Sequence, residues 1–323
     1  MSEHPAPTGG EPTRETTGTD VVCVGETMAV LASAEALAAG TKLVVGTGGA
    51  ESNVAVALAR MGHASSWVSR VGDDPFGRIV TEDVARLGVD VRGVEVDPER
   101  PTGLYVKDTG PGGAGVLYYR AGSAASALSA ADADRVWSLG ARVVHLSGIT
   151  PALSARAAAL VEHLLDRRNG NGALRSFDVN HRPALWRPRT AAPVLLDLAR
   201  RADVVFVGRD EAERLWGTPT AEDVRAVLPE VPVLVVKDAE HGATCFDEDG
   251  PVFVPSPPVD VVEAVGAGDA FAAGFLSGLL DGLSPERRLR LGHAVAGAVL
   301  CSPGDTLEDL PEGVADIRGT VTG

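Results

Sequence analysis

The tetrad Gly266-Ala267-Gly268-Asp269, running straight into the apolar segment 270–280, is where the chain's residue types most clearly imply chemistry. Unpaired backbone N–H groups at a helix start attract negative charge, and small residues let a ligand approach them. The three residues before Asp269 can therefore cradle a phosphate. Asp269 itself has two readings. As a cap it would satisfy the helix's own donors. As a general base it would take a hydroxyl proton while the neighbouring amides stabilise a transferring phosphoryl group. Spacing alone leaves both open.

Two further glycine clusters are weaker. Gly110-Pro111-Gly112-Gly113-Ala114-Gly115 fits G-x-G-x-x-G. It is followed by the strand-like Val116-Leu117-Tyr118-Tyr119, where a dinucleotide site requires a helix, so a flexible hairpin loop is expected. Gly46-Thr47-Gly48-Gly49-Ala50-Glu51 opens a helix but carries Glu51 where the third glycine belongs. Its small residues would still let the backbone touch a ligand. These contexts disfavour a nicotinamide oxidoreductase, and no G-x-x-x-x-G-K-[ST] phosphate loop occurs.

Charge narrows the partners. With 29 Lys+Arg against 44 Asp+Glu the net charge is −15, which repels polyanions and disfavours a nucleic-acid partner. Any anionic ligand must be held by locally placed cations. Arg120, after Tyr118-Tyr119, and Arg182, in Asp178-Val179-Asn180-His181-Arg182, are candidates. Two arginines converging on one pocket could hold a carboxylate in bidentate fashion; one alone could equally be a surface ion pair. Cys23, Cys245 and Cys301 show neither disulfide nor metal-ligand spacing. No run of about 18 uncharged apolar residues occurs, and Met1-Ser2-Glu3-His4 does not begin a basic, then apolar, leader. A cytoplasmic protein with reduced thiols and no membrane partner is expected.

The elements that must position these residues alternate. Apolar runs of strand length occur at 21–25, 141–146, 174–178, 203–207 and 233–237, with helical patterns at 52–61, 153–168 and 191–201. Strand alternating with helix predicts βαβ units, hence an α/β fold with a mostly parallel sheet covered on both faces. The interval 91–120 breaks the rhythm with short β-like runs at 94–96, 103–107 and 116–119 and no helix. It is expected to be a small β insertion, joined by strands near 28–31 and 43–45. The expected organisation is a disordered tail at 1–19, a core of 20–90 and 121–318 whose 27–47 part lends strands to the insertion, and the insertion itself at 91–120.

Gly266-Ala267-Gly268-Asp269 with Ala270-Phe271 and Ala273-Gly274 resembles the signature of the ribokinase-like (PfkB) carbohydrate kinases. So do Gly48-Gly49-Ala50-Glu51-Ser52-Asn53-Val54-Ala55 and the G-x-D-x-x-G element Gly72-Asp73-Asp74-Pro75-Phe76-Gly77. The resemblance spans nearly the whole chain after the tail. It implies a three-layer αβα fold with a β-sheet lid, Asp269 as catalytic base, and the Gly266, Ala267 and Gly268 amides as an anion hole. Thr102-Gly103-Leu104-Tyr105, the two arginine stretches and 145–153 resemble the 2-keto-3-deoxygluconate kinases within that family. Carried over, the likeness places Gly49, Asn53, Tyr105, Tyr118, Arg120, Ile149 and Arg182 around a sugar acid and Asp269 at its C6 hydroxyl. For Tyr105, Tyr118 and Ile149, plain packing is the alternative.

On the nucleotide side the resemblance implies ATP with Mg²⁺, and a monovalent cation (K⁺) is a further candidate. It places Lys237, Gly242, Gly266, Gly268 and His293 near the nucleotide and Glu211 at Mg²⁺ through water. Here the pattern departs: Gly208 replaces an Asn, Ala239 a Gly, Glu263-Ala264 the usual Asp-Thr, and His293 an Asn. Those departures keep alive a non-catalytic sugar- or nucleotide-sensing protein, beside a kinase for ribose, fructose or 2-keto-3-deoxygalactonate. A homo-oligomer assembled through the lid is expected.

Overall fold

The computed structural model describes residues 18–33, 35–108, 115–170, 172–186, 190–302, 304, 306–307, 309–311 and 313–319. Most of the expected tail and the glycine-rich stretch 110–114 lie outside them. In chain order the strands are β1 (Val21–Val24), β2 (Met28–Ser33), β3 (Val44–Gly48), β4 (Ser65–Gly72), β5 (Asp90–Asp97), β6 (Leu104–Asp108) and β7 (Gly115–Tyr119). There follow β8 (Val143–Ser147), β9 (Leu174–Asp178), β10 (Val204–Gly208), β11 (Val233–Asp238), β12 (Gly242–Asp247) and β13 (Gly250–Pro255).

Nine strands form one sheet in the order β13-β12-β11-β10-β9-β8-β1-β4-β5, and four form a second, β3-β2-β6-β7. In the large sheet only the β11–β12 and β12–β13 pairs are antiparallel. The strands buried on both faces are the near-continuous Val/Leu/Phe runs, as a covered parallel sheet requires. Phe271, Phe275 and Leu276 of the helix Ala267–Leu280 pack one face together with Leu58 and Trp67; Leu160, Leu164, Leu195 and Phe177 pack the other. Each such side chain contributes about 1.5–3 kcal/mol on burial. The chain is thus a three-layer α/β fold with a small separate sheet, the lid.

One assignment is corrected. The run 94–96, expected in the insertion, belongs to β5, which pairs in parallel with β4 at the edge of the large sheet. The helix Pro75–Arg86 joins the two as an ordinary βαβ crossover. Asp74 caps it, accepting from the Gly77 N–H at 2.8 Å, and Pro75 takes the first helical position. The lid is otherwise built from the expected segments, with β2 and β6 parallel at its centre. The single long helical pattern at 153–168 is two helices, Thr150–Leu153 and Ala155–Leu165, because Ser154 breaks out as an extended N-cap.

The G-x-D-x-x-G element anchors the return into the lid. The second Asp74 oxygen accepts the Thr102 N–H at 2.8 Å, and Thr102 Oγ1 in turn accepts from the Gly72 N–H. Burial opposes ionisation of Asp74, but these amides outweigh it and hold its pKa below the usual carboxylate range.

Candidate active site

Ligands on parallel α/β sheets bind beyond the carboxyl ends of the strands, near the point where strand order reverses. Here β1 and β8 are neighbours at that point, and Gly25-Glu26, Ser147, Asp178, Gly208 and Lys237 stand at or just beyond strand ends. Two cavities open there, with the N-terminus of the helix Ala267–Leu280 between them.

The first, about 460 Å³, is bordered by Gly49, Asn53, Tyr105, Tyr118, Arg120, Ile149 and Arg182, so the structure brings all seven sugar-side candidates together. Gly266 and Asp269 border it too. Tyr105 is buried and packs against the half-exposed Tyr118, with ring centres 5.6 Å apart and the planes tilted by 41°. The two arginines differ. Arg182 is exposed and has no side-chain partner among the described residues, whereas Arg120 donates from Nε to Glu26 Oε2 at 2.7 Å, with Nη2 on the same oxygen. The expected carboxylate clamp therefore has one cation already half engaged by protein.

Asp269 is buried at 7% exposure, third in its helix. Asn53 Nδ2 donates to its Oδ2 at 2.9 Å and Asn180 Nδ2 to its Oδ1 at 3.4 Å. Those side-chain bonds, from elements distant in sequence, hold the carboxylate toward the cavity. No side-chain bond to its own helix N-terminus is present, which disfavours the capping reading. Burial pushes its pKa up to about 7; the Asn53 bond opposes this, the Asp178 charge adds to it, and Arg182 and Lys237 oppose it. A base with a pKa near neutrality suits proton removal from a hydroxyl.

Gly266, with φ +84°, turns the chain into the helix, which begins at Ala267. Gly268 is not required by packing: a Cβ there would meet only Lys237 Nζ, at 3.5 Å. Its bareness leaves room for a ligand at the amides, beside an ammonium. Lys237 pairs with Asp178 Oδ2 at 2.8 Å, and although burial opposes its charge, Asp178 overcomes that and raises its pKa. Asp178 Oδ1 also accepts the Asn180 N–H at 3.2 Å, holding Asn180 at φ +39°.

The second cavity, about 660 Å³, is bordered by Lys237, Gly242, Ala267, Gly268 and His293, and also by Ala239 and Ala264. Gly266, assigned to the nucleotide as well, borders the first cavity instead. His293 Nε2–H donates to the Val254 carbonyl at 3.1 Å and the ring meets Phe271 edge-on; burial lowers its pKa, against the Val254 bond, which raises it. At Gly242 a Cβ would run into the Val254 carbonyl and the Phe253 ring. Ala239 adopts φ +42°, the left-handed conformation for which a glycine is better suited.

Glu211 borders neither cavity. Its Oε1 accepts the His181 N–H and its Oε2 the Gly208 N–H at 3.1 Å, capping the helix Arg209–Trp216. Burial and the Asp178 charge raise its pKa. No group of three or more His, Cys, Asp or Glu placed to hold a metal occurs among the described residues. Asp178, Glu211 and Asp269 all act on Lys237 and help to keep its ammonium charged.

Sequence reasoning missed several participants, Asp178 and Asn180 among them. Glu26 holds Arg120; Lys107, on the lid and bordering the first cavity, pairs with Glu263 Oε2 at 3.3 Å; and Glu51 lies fully buried with Oε1 on Ser147 and Thr150. A carboxylate just past a buried strand, as in Gly25-Glu26, was the available signal.

The sequence pattern described as pfkB family carbohydrate kinase matches residues 18–312. The chain belongs to this family. It is a carbohydrate kinase, moving phosphate from ATP to a sugar hydroxyl, and the sensing-protein alternative gives way. The 2-dehydro-3-deoxygluconokinase of Bacillus subtilis (strain 168) is 37% identical over 300 residues, covering 90% of this chain and 92% of that protein. The 2-dehydro-3-deoxygalactonokinase of Haloferax volcanii is 32% identical over 91% of this chain and 95% of its own. The crystal structure of 2-dehydro-3-deoxygluconokinase from Thermotoga maritima superposes with a TM-score of 0.82 at 25% identity, covering 93% of this chain and 99% of that one. No helix among the described residues is long and apolar enough to cross a membrane.

Proposed function

We propose that this kinase phosphorylates 2-keto-3-deoxygluconate (2-dehydro-3-deoxygluconate) at its C6 hydroxyl, giving the 6-phosphate and ADP. The observation that carries the reading is one cavity bordered at once by Arg120, Arg182 and the buried Asp269. A neutral sugar needs no such cations; a sugar acid does. The relative from Bacillus subtilis supports the same substrate.

In this reading Arg182, and the part of Arg120 not held by Glu26, grip the carboxylate, so the far hydroxyl is presented to Asp269. Asp269, held by Asn53 and Asn180, takes the hydroxyl proton as the oxygen attacks the γ-phosphorus in line. The amides of Gly266, Ala267 and Gly268 and the Lys237 ammonium face the transferring oxygens and stabilise the charge spreading over them. Mg²⁺ arrives with ATP and neutralises phosphate charge; Glu211, with both oxygens on backbone amides, would act on it only through water. A monovalent cation near the anion-hole loop is a further element of this proposal.

The galactonate epimer is the second reading, favoured by the relative from Haloferax volcanii. ADP release with Mg²⁺·ATP, measured against 2-keto-3-deoxygluconate, its galactonate epimer, ribose, fructose and gluconate, tests both. Turnover confined to the two keto-deoxy acids is expected; turnover on ribose or fructose instead would sink the carboxylate assignment. A dimer through the lid is also proposed, supported by the exposed lid residues Val44, Val45 and Tyr119, and sedimentation of the full chain as a monomer would refute it.

A further inference from the structure

The chain passes between core and lid four times: from β1 to β2, from β3 into the helix Ala50–Arg60, from β5 to β6, and from β7 back to the core. All four crossings meet one side chain or its own backbone. Glu26 itself lies on the first and is 2% exposed. On the second, a Cβ at Gly49 would lie 2.5 Å from the Glu26 carbonyl oxygen. On the third, a Cβ at Gly103 would lie 2.6 Å from Glu26 Oε1. On the fourth, Arg120 donates to Oε2 and Ser123 Oγ to Oε1.

The same contact fixes how Arg120 faces the sugar cavity. With Nε and Nη2 both on Glu26 Oε2, the Nη1 end of the planar guanidinium has no protein partner among the described residues. That end is left for a planar oxyanion, and its direction is set by Glu26. We propose that Glu26 is a positioning residue that couples recognition of the substrate carboxylate by Arg120 to the seating of the lid on the core. A carboxylate on Nη1 and Glu26 on the opposite edge share one rigid group. Holding that group firms the junction of all four crossings, and losing Glu26 loosens lid and specificity together. The ligand half of this rests on the sugar-acid reading; the structural half does not.

The test separates the halves. In unliganded Glu26→Gln, amide hydrogen exchange in β2 and β6 is expected to quicken about tenfold or more, with β8 and β9 unchanged. Unchanged exchange in the lid strands would overturn the junction. The KM for 2-keto-3-deoxygluconate is expected to rise about tenfold or more, with kcat within about threefold of wild type. In a double-mutant cycle, Glu26→Gln in an Arg120→Gln background should raise KM by less than about twofold, because the guanidinium it aims is gone. Independent, multiplying effects would overturn the coupling, as would faster exchange with an unaltered KM. Should Glu26→Gln fail to fold, Ser123→Ala removes one bond to Glu26 and must show the same joint change in lid exchange and KM at smaller size. If wild type turns over no sugar acid, the substrate reading fails, and the exchange comparison still decides the junction.

Discussion

The cavity bordered by Arg120 and Arg182, read above as the sugar side, and the one bordered by Lys237 and His293, read as the nucleotide side, share the helix start at 266–269 yet are built by different means. Most of the charges lining the first are buried or paired, Asp269 between two amides, Arg120 on Glu26 and Lys107 on Glu263, with the exposed Arg182 as the exception. The second is lined largely by Ala, Gly, Val and Pro, with Lys237, Glu240 and His293 as the groups with a titratable side chain. A ligand held by side-chain charge depends on residue identity; one held by backbone and apolar surface depends on chain path. The same contrast ranks the effects of substitution.

The largest effect belongs to Asp269. Asp269→Asn should lower kcat by about 10²- to 10⁴-fold with sugar-acid affinity little altered, measured by steady-state kinetics and a direct binding isotherm. Because the folded pKa is raised to about 7, ionising this carboxyl costs stability as pH rises from its unfolded value through 7. The Asn variant should therefore melt higher than wild type at pH 8. A lower Tm there would return Asp269 to a structural role. In the wild type, kcat/KM should fall about tenfold per pH unit below pH 7 and be flat above it, as the base becomes protonated. A profile level down to pH 5 would contradict the base assignment.

Next come the two arginines, which should separate. Arg182→Gln removes a charge with no protein partner among the described residues, so KM for the sugar acid should rise about 10- to 100-fold while Tm holds. Arg120→Gln strands the buried Glu26 carboxylate and should cost about 3–5 kcal/mol of stability as well. Equal losses of Tm in both variants would erase the distinction drawn between them.

How far the sequence carried this reading follows the same divide. The lid strands were legible from local pattern, whereas spacing left the tetrad 266–269 and both arginines open and the family resemblance supplied their expected roles. The strand β5 was misplaced since a short alternating run reads alike in either sheet, and only pairing decides which. Glu26, Asp178 and Asn180 were not singled out, because their roles arise from side chains meeting across 59 or more positions, as Asp178 with Lys237, Asn180 with Asp269 and Glu26 with Arg120 do. Local spacing carries no trace of such meetings. Glu211 shows the reverse: a residue type suited to metal chemistry whose oxygens the fold spends on backbone amides.

The smallest effect is expected where the chain path matters most. Ala239 sits in the β11–β12 turn at φ +42° and borders the nucleotide cavity, so its side chain is tolerated in a left-handed conformation that costs an L-residue about 1–2 kcal/mol. Ala239→Gly relieves that strain but gains freedom in the unfolded chain, which offsets part of it. The net should be a rise in stability of about 1 kcal/mol or less, with KM for ATP within about twofold, read by denaturant melts and nucleotide titration. If instead the glycine changed the KM for ATP tenfold at constant stability, the methyl group of Ala239 would be a ligand contact. The nucleotide side would then read residue identity after all, as the sugar side does.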